Sequence, residues 1–153
     1  MHDHIPMPAL LRHARFIYGA AMRQALAEAG YDDLPRNGLY IIGGLALDVV
    51  DIPLANLIRD LRMSKQAAGQ LVDTLVMRGY LQRALDQSDR RRLTVTLTER
   101  GRAAAAVQAA ARQRVDAALE AEVGPDNVAA ARGVLTALID MGMRRAAEKE
   151  AAA

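Results

Sequence analysis

The sequence predicts a mainly α-helical protein with one small β-hairpin, and three observations support this fold class. Hydrophobic residues make up 52% of the 153-residue chain but aromatic residues only 3%, so aliphatic side chains must fill the core. Alanine, the strongest helix former, is abundant and lets helices pack closely. Several segments place apolar residues three and four positions apart, as on a buried helix face, while one short segment alternates apolar and polar residues, as in a strand.

Two helices are predicted in the first third of the chain. The first extends from about residue 8 to 29, where apolar side chains recur at helical spacing. Asn37 can cap a second helix that continues to about residue 47. Gly43 and Gly44 lie inside this second helix. Because an interior glycine costs a helix about 1 kcal/mol, the pair serves either close helix packing or a ligand pocket.

A helix-turn-helix is predicted next. One helix extends from about residue 54 to 61, and a tight turn follows it. Ser64 is a good N-cap for a second helix to about residue 78, and Gly79 ends that helix. Two short helices joined by such a turn form the helix-turn-helix pattern, whose second helix can enter the major groove of DNA.

A β-hairpin and two further helices complete the predicted order of elements. Residues 80–85 and 93–97 form the two strands, since the second alternates leucine and valine with threonine. Thr98 caps a long helix through about residue 123. A last helix extends from about residue 127 to 148. A helix-turn-helix followed directly by a hairpin is a winged helix-turn-helix, with the hairpin as its wing.

Charge is distributed unevenly along these segments. Residues 59–102 contain ten Lys and Arg against five Asp and Glu, whereas the rest of the chain has a net charge of −3. A basic central segment is typical of a region that meets a polyanion. We therefore expect an N-terminal helix of a dimerisation region (1–35), a winged helix-turn-helix DNA-binding domain (36–98) and C-terminal dimerisation helices (99–153).

Several classes of protein are disfavoured. The chain has no cysteine, so disulfides, thiolate catalysis and cysteine-ligated metal sites are excluded. All three histidines precede residue 14, and there is neither a phosphate-binding glycine loop nor an HExxH pair. We expect neither an enzyme nor a bound metal or cofactor. No apolar run is long enough to span a membrane and no signal peptide begins the chain, so we expect a cytoplasmic protein.

The candidate DNA-binding residues lie on the second helix of the motif and at the wing tip. Serine and lysine can bind phosphate or a base edge, glutamine matches adenine, and glycine allows close approach to the duplex. Arginines at a wing tip suit the narrow minor groove, and a neighbouring carboxylate can orient them. The predicted set is Ser64, Lys65, Gln66, Gly69, Gln70, Asp89, Arg90, Arg91 and Arg92.

Residues 54–101, LANLIRDLRMSKQAAGQLVDTLVMRGYLQRALDQSDRRRLTVTLTERG, resemble the MarR (multiple antibiotic resistance regulator) family of bacterial transcription regulators. The wing pattern of that family is matched by Asp89, Arg91, Leu97, Thr98 and Gly101. Its recognition-helix pattern is matched by Leu71, Val72, Asp73, Leu75 and Gly79. The chain departs from many relatives in having Gln70 and Thr74 where they carry arginine, which implies fewer phosphate contacts.

The resemblance implies a homodimer whose terminal helices form the interface and whose two winged domains bind a palindromic operator. Independently, the apolar surface of the last helices exceeds what one small domain needs to bury. The candidate interface residues are Leu10, Leu11, Val134, Leu135, Leu138, Ile139, Met141 and Met143. The resemblance also implies a small aromatic or phenolic effector, for which the candidate residues are His13, Ile17, Tyr18, Tyr40, Gly43 and Gly44.

The favoured function is therefore a sequence-specific, double-stranded DNA-binding transcriptional regulator, a ligand-responsive repressor. Two alternatives remain open at this point. A winged helix can serve as a protein-interaction module, which the modest net charge of +2 allows. The chain can also be an effector-binding protein with little specific affinity for DNA. The dependence of DNA affinity on salt separates the first alternative from a DNA-binding protein.

Overall fold

The computed structural model describes residues 4–47, 59, 63–85 and 93–152. The elements in chain order are α1 (Met7–Glu28), α2 (Gly38–Leu47), α3 (Lys65–Met77), β1 (Leu81–Leu85), β2 (Leu93–Leu97), α4 (Glu99–Val123) and α5 (Pro125–Ala151). The prediction of a mainly α-helical fold with one hairpin and a winged helix is confirmed. The predicted helix at 54–61 lies outside the described residues, except for Arg59, which is helical.

The last helix is longer at both ends than predicted. Gly124 has a positive φ of 85°, and Pro125 occupies the first turn of α5. Proline is favoured there because its missing N–H would have no intrahelical partner in any case. The last helix therefore begins two residues before the predicted position of about residue 127. The alanine-rich C-terminus continues the helix to Ala151, as alanine's helix propensity allows.

The chain divides into two compact units, Met1–Gln113 and Arg114–Ala153. In the second unit an ion pair joins Arg132 to Asp116, with 3.6 Å between nitrogen and oxygen. Among the described residues, no helix is both long and apolar enough to cross a bilayer.

The core of the first unit is built around α2. Leu39, Ile41 and Ile42 are at most 1% exposed. Around them pack side chains from α1, α3, the hairpin and the first half of α4, namely Met22, Leu26, Leu71, Val72, Leu75, Tyr80, Leu81, Val95, Leu97, Ala104, Ala105 and Ala111. The burial of Val95 and Leu97 in alternate positions of β2 confirms the strand face expected from the sequence.

Gly43 lets α2 approach α4 closely. A Cβ atom at this position would overlap the amide nitrogen of Gln108. Gln108 is 3% exposed, and its amide nitrogen donates a 2.9 Å hydrogen bond to the backbone carbonyl of Leu39. Of the two reasons considered for a glycine at position 43, close helix packing is the one that the geometry displays.

Candidate nucleic-acid interface

The N-terminal turn of α3 presents polar side chains to solvent. Ser64 caps this helix, since its Oγ accepts a 3.2 Å hydrogen bond from the backbone N–H of Ala67. Ser64, Lys65 and Gln66 are exposed. The opposite side of the helix holds Ala68 and Leu71, which are buried. The apolar side thus fixes the helix to the core, while the predicted DNA-binding side chains stay accessible.

One turn later, Gly69 and Gln70 are exposed on the same helix. No atom of the described residues lies within 4 Å of the position that a Cβ on Gly69 would take. The hydroxyl of Thr74 donates a 2.8 Å hydrogen bond to the backbone carbonyl of Gln70. Thr74 is one of the two positions at which many MarR relatives carry arginine. In this chain its hydroxyl bonds to the helix backbone.

The two strands of the wing pair in antiparallel register, with Leu81 opposite Leu97 and Leu85 opposite Leu93. Arg83 of β1 forms an ion pair with Asp73 of α3. This pair joins the wing to the recognition helix at the surface, and it gives Asp73 of the family pattern a physical role. The predicted wing-tip residues Asp89, Arg90, Arg91 and Arg92 lie outside the described residues.

The base of the wing is joined to the end of α3 by Thr98. Its hydroxyl lies 2.5 Å from the carbonyl oxygen of Gly79 and 3.1 Å from that of Tyr80, and it accepts a 3.0 Å bond from the N–H of Gly101. Gly79 has a φ of 76°, which turns the chain into the hairpin. A Cβ on Gly101 would overlap the Tyr80 carbonyl oxygen. The Thr-x-x-Gly pattern therefore lets α4 start directly against the end of α3.

A cluster of polar side chains, here called the Asp33 cluster (Asp33, Arg78, Tyr80 and Arg100), lies at the same place. The Tyr80 hydroxyl donates to the Asp33 carboxylate, and Arg100 donates to that carboxylate at 2.9 Å and to the Tyr80 hydroxyl at 3.1 Å. Arg78 donates to the backbone carbonyl of Asp33. The Arg100 guanidinium also lies 4.6 Å from the centre of the Tyr80 ring.

These contacts shift the protonation equilibria of the cluster. The hydrogen bond from Tyr80 and the charges of Arg100 and Arg78 hold the pKa of Asp33 below its usual value. Burial, together with the bond to Asp33, raises the pKa of Tyr80. Asp33 is therefore ionised and Tyr80 neutral at physiological pH. Nothing in the sequence pattern indicated this cluster, because its hydrogen-bonded pairs are 20 to 67 positions apart and follow no motif.

A basic cavity of about 250 Å³ lies between α1 and the start of α2. It is lined by Arg12, Arg15, Phe16, Arg23, Arg36, Asn37 and Tyr40. The guanidinium of Arg15 lies 4.6 Å from the centre of the Tyr40 ring. Four of the described residues that line the cavity are arginines, and none of them is an aspartate or glutamate. Its chemistry suits an anion, and its two aromatic rings suit a flat apolar group.

Of the six residues predicted to contact an effector, Tyr40 lines this basic cavity. His13 and Ile17 are exposed on α1, and Tyr18 packs against the core. Gly43 and Gly44 are half-buried in α2. The predicted effector site did not include the arginines of the cavity, although the spacing of those on α1 could have indicated them. Positions 12, 15, 16 and 23 fall on one face of a helix, with Gly19 between them.

The residues predicted for the dimer interface are largely accessible in the single chain. On α5 the six apolar candidates range from 38% exposed at Leu135 to 67% exposed at Met143. On α1, Leu10 is exposed and Leu11 half-buried. Large apolar side chains exposed along one helix are typical of a surface that another chain covers.

Known structures provide the comparison for this fold. No protein-family model matches the chain, and no curated protein matches it in sequence. A MarR family transcriptional regulator from Silicibacter pomeroyi is 26% identical, with a TM-score of 0.73 over 89% of each chain. The MarR family protein Rv2887 of Mycobacterium tuberculosis, in complex with salicylic acid, is 25% identical, with a TM-score of 0.63 over 90% of this chain and 99% of that one. The Staphylococcus aureus MepR–DNA complex is 16% identical, with a TM-score of 0.70 over 90% and 99% of the chains, and shares the fold.

Proposed function

Because the chain belongs to the MarR family of transcription regulators, we propose that it is a sequence-specific, double-stranded DNA-binding regulator. It acts as a ligand-responsive repressor and not as an enzyme, in the cytoplasm where its DNA lies. The observation that carries this proposal is the exposed N-terminal turn of α3. There Ser64, Lys65 and Gln66 are accessible, and Gly69 leaves room for a close surface.

The recognition helix and the wing contribute different contacts. Residues at the start of α3 meet base edges and phosphates in the major groove, as in helix-turn-helix proteins. The hairpin continues directly from α3 and carries Arg90, Arg91 and Arg92 between its strands. These arginines meet the adjacent minor groove, where the potential is most negative. MepR, whose fold this chain shares, has been crystallised with DNA.

The active form is a homodimer on a palindromic operator. The exposed apolar face of α5 supplies the interface, and two copies of α3 then bind half-sites about one helical turn apart. A Cβ placed on Gly133 or Gly142 of α5 would meet no described atom within 4 Å beyond the backbone of its own helix. Glycines at such positions allow a partner helix to approach closely.

The effector is a small aromatic compound bearing an acidic group, and it binds in the basic cavity. The arginines there bind the acidic group, and Phe16 and Tyr40 contact the ring. Rv2887, 25% identical to this chain, has been crystallised with salicylic acid. An effector lowers DNA affinity only if it binds the DNA-free conformation more tightly than the DNA-bound one.

The chain offers a matched pair of variants for testing DNA binding. Its two lysines are Lys65 at the start of α3 and Lys149 in the last turn of α5, and both are exposed. The probe is a duplex that the wild type selects from a random library, titrated by fluorescence anisotropy at several salt concentrations. Lys65→Ala should weaken binding and reduce the salt slope of log K by about one unit, because one phosphate contact is lost. Lys149→Ala removes the same charge and should leave both unchanged.

Three results would contradict the proposal. Equal affinity for the selected and a random duplex would rule out sequence-specific binding. An affinity independent of salt would favour the protein-interaction alternative. Equal effects of the two lysine substitutions would mean that α3 has no special role.

Effector binding is tested separately by calorimetric titration with salicylate. Arg15→Met should abolish the binding heat, because the variant loses a guanidinium of the cavity. Arg114→Met, an exposed arginine of α4 outside the cavity, is the matched control and should bind as the wild type does. Salicylate binding that leaves DNA affinity unchanged would favour the alternative of an effector-binding protein.

A further inference from the structure

We propose that Asp33 is a positioning residue for DNA binding, which holds the recognition helix and both ends of the wing in their relative places. The inference rests on the proposed DNA binding and concerns a residue outside the recognition helix and wing. Asp33 lies in the segment between α1 and α2. The residues that bond to it belong to three other segments, all of which adjoin the DNA-facing surface.

Each of the three segments donates one hydrogen bond to Asp33. Arg78 is the residue that ends α3, and it donates to the backbone carbonyl of Asp33. Tyr80 directly precedes β1, and its hydroxyl donates to the carboxylate. Arg100 lies in the first turn of α4, just after β2, and donates to the same oxygen at 2.9 Å. One residue thus fixes the exit of the recognition helix together with the entry and exit of the hairpin.

Burial and charge make this arrangement rigid. Tyr80 is 0% exposed, so its hydroxyl has few alternative partners, and its ring packs against Tyr31 with 6.2 Å between ring centres. Arg100 contacts the Tyr80 ring as well as its hydroxyl. Hydrogen bonds to an ionised carboxylate are stronger than neutral ones. If the carboxylate were removed, the Tyr80 hydroxyl and Arg100 would keep only their hydrogen bond to each other within the cluster.

The charge of Asp33 argues that its contribution to DNA binding is indirect. A carboxylate on a DNA-binding domain repels phosphate and by itself lowers affinity. Removing it should therefore strengthen binding if it acts only through long-range electrostatics. If it positions the wing and α3, removing it should weaken binding. The two explanations therefore predict opposite changes in DNA affinity when the carboxylate is removed.

Asp32 provides the matched control for this test. It is the preceding residue, carries the same charge and is exposed, and it takes no part in the cluster. Asp33→Ala and Asp32→Ala are compared with the wild type on the selected duplex. We expect Asp33→Ala to weaken binding by about tenfold, within the usual range for loss of a specific contact. Asp32→Ala should bind as tightly as the wild type or slightly more tightly.

A double-mutant cycle identifies the element through which Asp33 acts. Arg91→Ala should weaken wild-type binding, but it should have a smaller effect in the Asp33→Ala background, where the wing is no longer held. A merely structural role would instead give additive effects. Tyr80→Phe removes only the hydroxyl and retains the buried ring. It should weaken DNA binding in the same direction as Asp33→Ala while circular dichroism shows wild-type helicity.

The outcomes separate the inference from the proposed function. If the wild type and Asp32→Ala bind the selected duplex but Asp33→Ala binds equally well, the inference is overturned and the function stands. Additive effects of Asp33→Ala and Arg91→Ala also overturn it. If Asp33→Ala does not fold, Tyr80→Phe decides, and wild-type affinity in that variant overturns the inference. If the wild type shows no sequence-specific binding, the proposed function fails first and the inference with it.

Discussion

Gly69→Ala should stabilise the protein and at the same time weaken its binding to DNA. Gly69 lies inside α3, where glycine costs a helix about 1 kcal/mol relative to alanine. It is not among the glycines with a positive φ, and no described atom lies within 4 Å of a Cβ placed on it. Nothing among the described residues therefore accounts for a glycine here, whereas an approaching duplex would.

The two effects can be estimated separately. Removing the glycine's excess backbone entropy in the unfolded state should raise the free energy of unfolding by about 0.5–1 kcal/mol. In a chain of this length that corresponds to a rise in Tm of roughly 1–4 °C. A methyl group between α3 and the duplex displaces neighbouring contacts such as those of Gln66 and Gln70. The expected loss of binding free energy is about 1–3 kcal/mol, the usual cost of a disrupted base contact.

Thermal unfolding followed by circular dichroism gives the first quantity, and anisotropy titration with the selected duplex gives the second. Both are measured at one protein concentration, because the stability of a dimer depends on it. A variant that is more stable and binds DNA with wild-type affinity would refute the placement of Gly69 at the interface. A variant that is less stable would refute the interpretation of the open space around it.

Four further outcomes are expected. Gly101→Ala should lower the free energy of unfolding by about 1–3 kcal/mol in urea titration, because its Cβ overlaps the Tyr80 carbonyl, an overpacking cost that exceeds the gain in helix propensity. Asp73→Asn should change that free energy by less than about 1 kcal/mol, because the ion pair with Arg83 is exposed on both sides. Stability should fall as the pH drops below about 4, since the lowered pKa of Asp33 means that unfolding takes up a proton there, and this decrease should be smaller in Asp33→Asn. Stability should also fall above about pH 10, where unfolding releases the proton that Tyr80 keeps in the folded state, and this decrease should be smaller in Tyr80→Phe.

Local patterns were sufficient to predict the order of elements. The alternation in β2, the cap at Ser64 and the helical spacing in α1 each depend on neighbours within four positions, and each was confirmed. The start of the last helix was placed two residues late, because Gly124 and Pro125 can lie either in a break between helices or at the start of the next helix, and only the backbone conformation at Gly124 distinguishes the two cases.

Contacts between distant segments could not be predicted in the same way. Thr98 and Gly101 were recognised as a pattern, but their partners, the carbonyls of Gly79 and Tyr80, are set by how α4 meets α3. Asp33 stood in an ordinary loop sequence, and nothing nearby indicated that Arg100, 67 positions later, would bond to it. The arginines of the basic cavity had a helical spacing, yet their significance depends on Tyr40 and Arg36 from outside that helix.

Some glycines inside helices of this chain are explained by contacts within the chain, whereas others are not. At Gly101 an added Cβ would overlap the backbone carbonyl of Tyr80, and at Gly43 it would overlap the side-chain amide of buried Gln108, so contacts within the chain account for both small residues. At Gly69, Gly133 and Gly142 an added Cβ would meet no described atom, although each lies inside a helix where alanine would be more stable. The cost at these three positions is therefore unexplained by the single chain. DNA at α3 and a second copy at α5 are the partners that would account for it, which links the two halves of the proposed function to one physical observation.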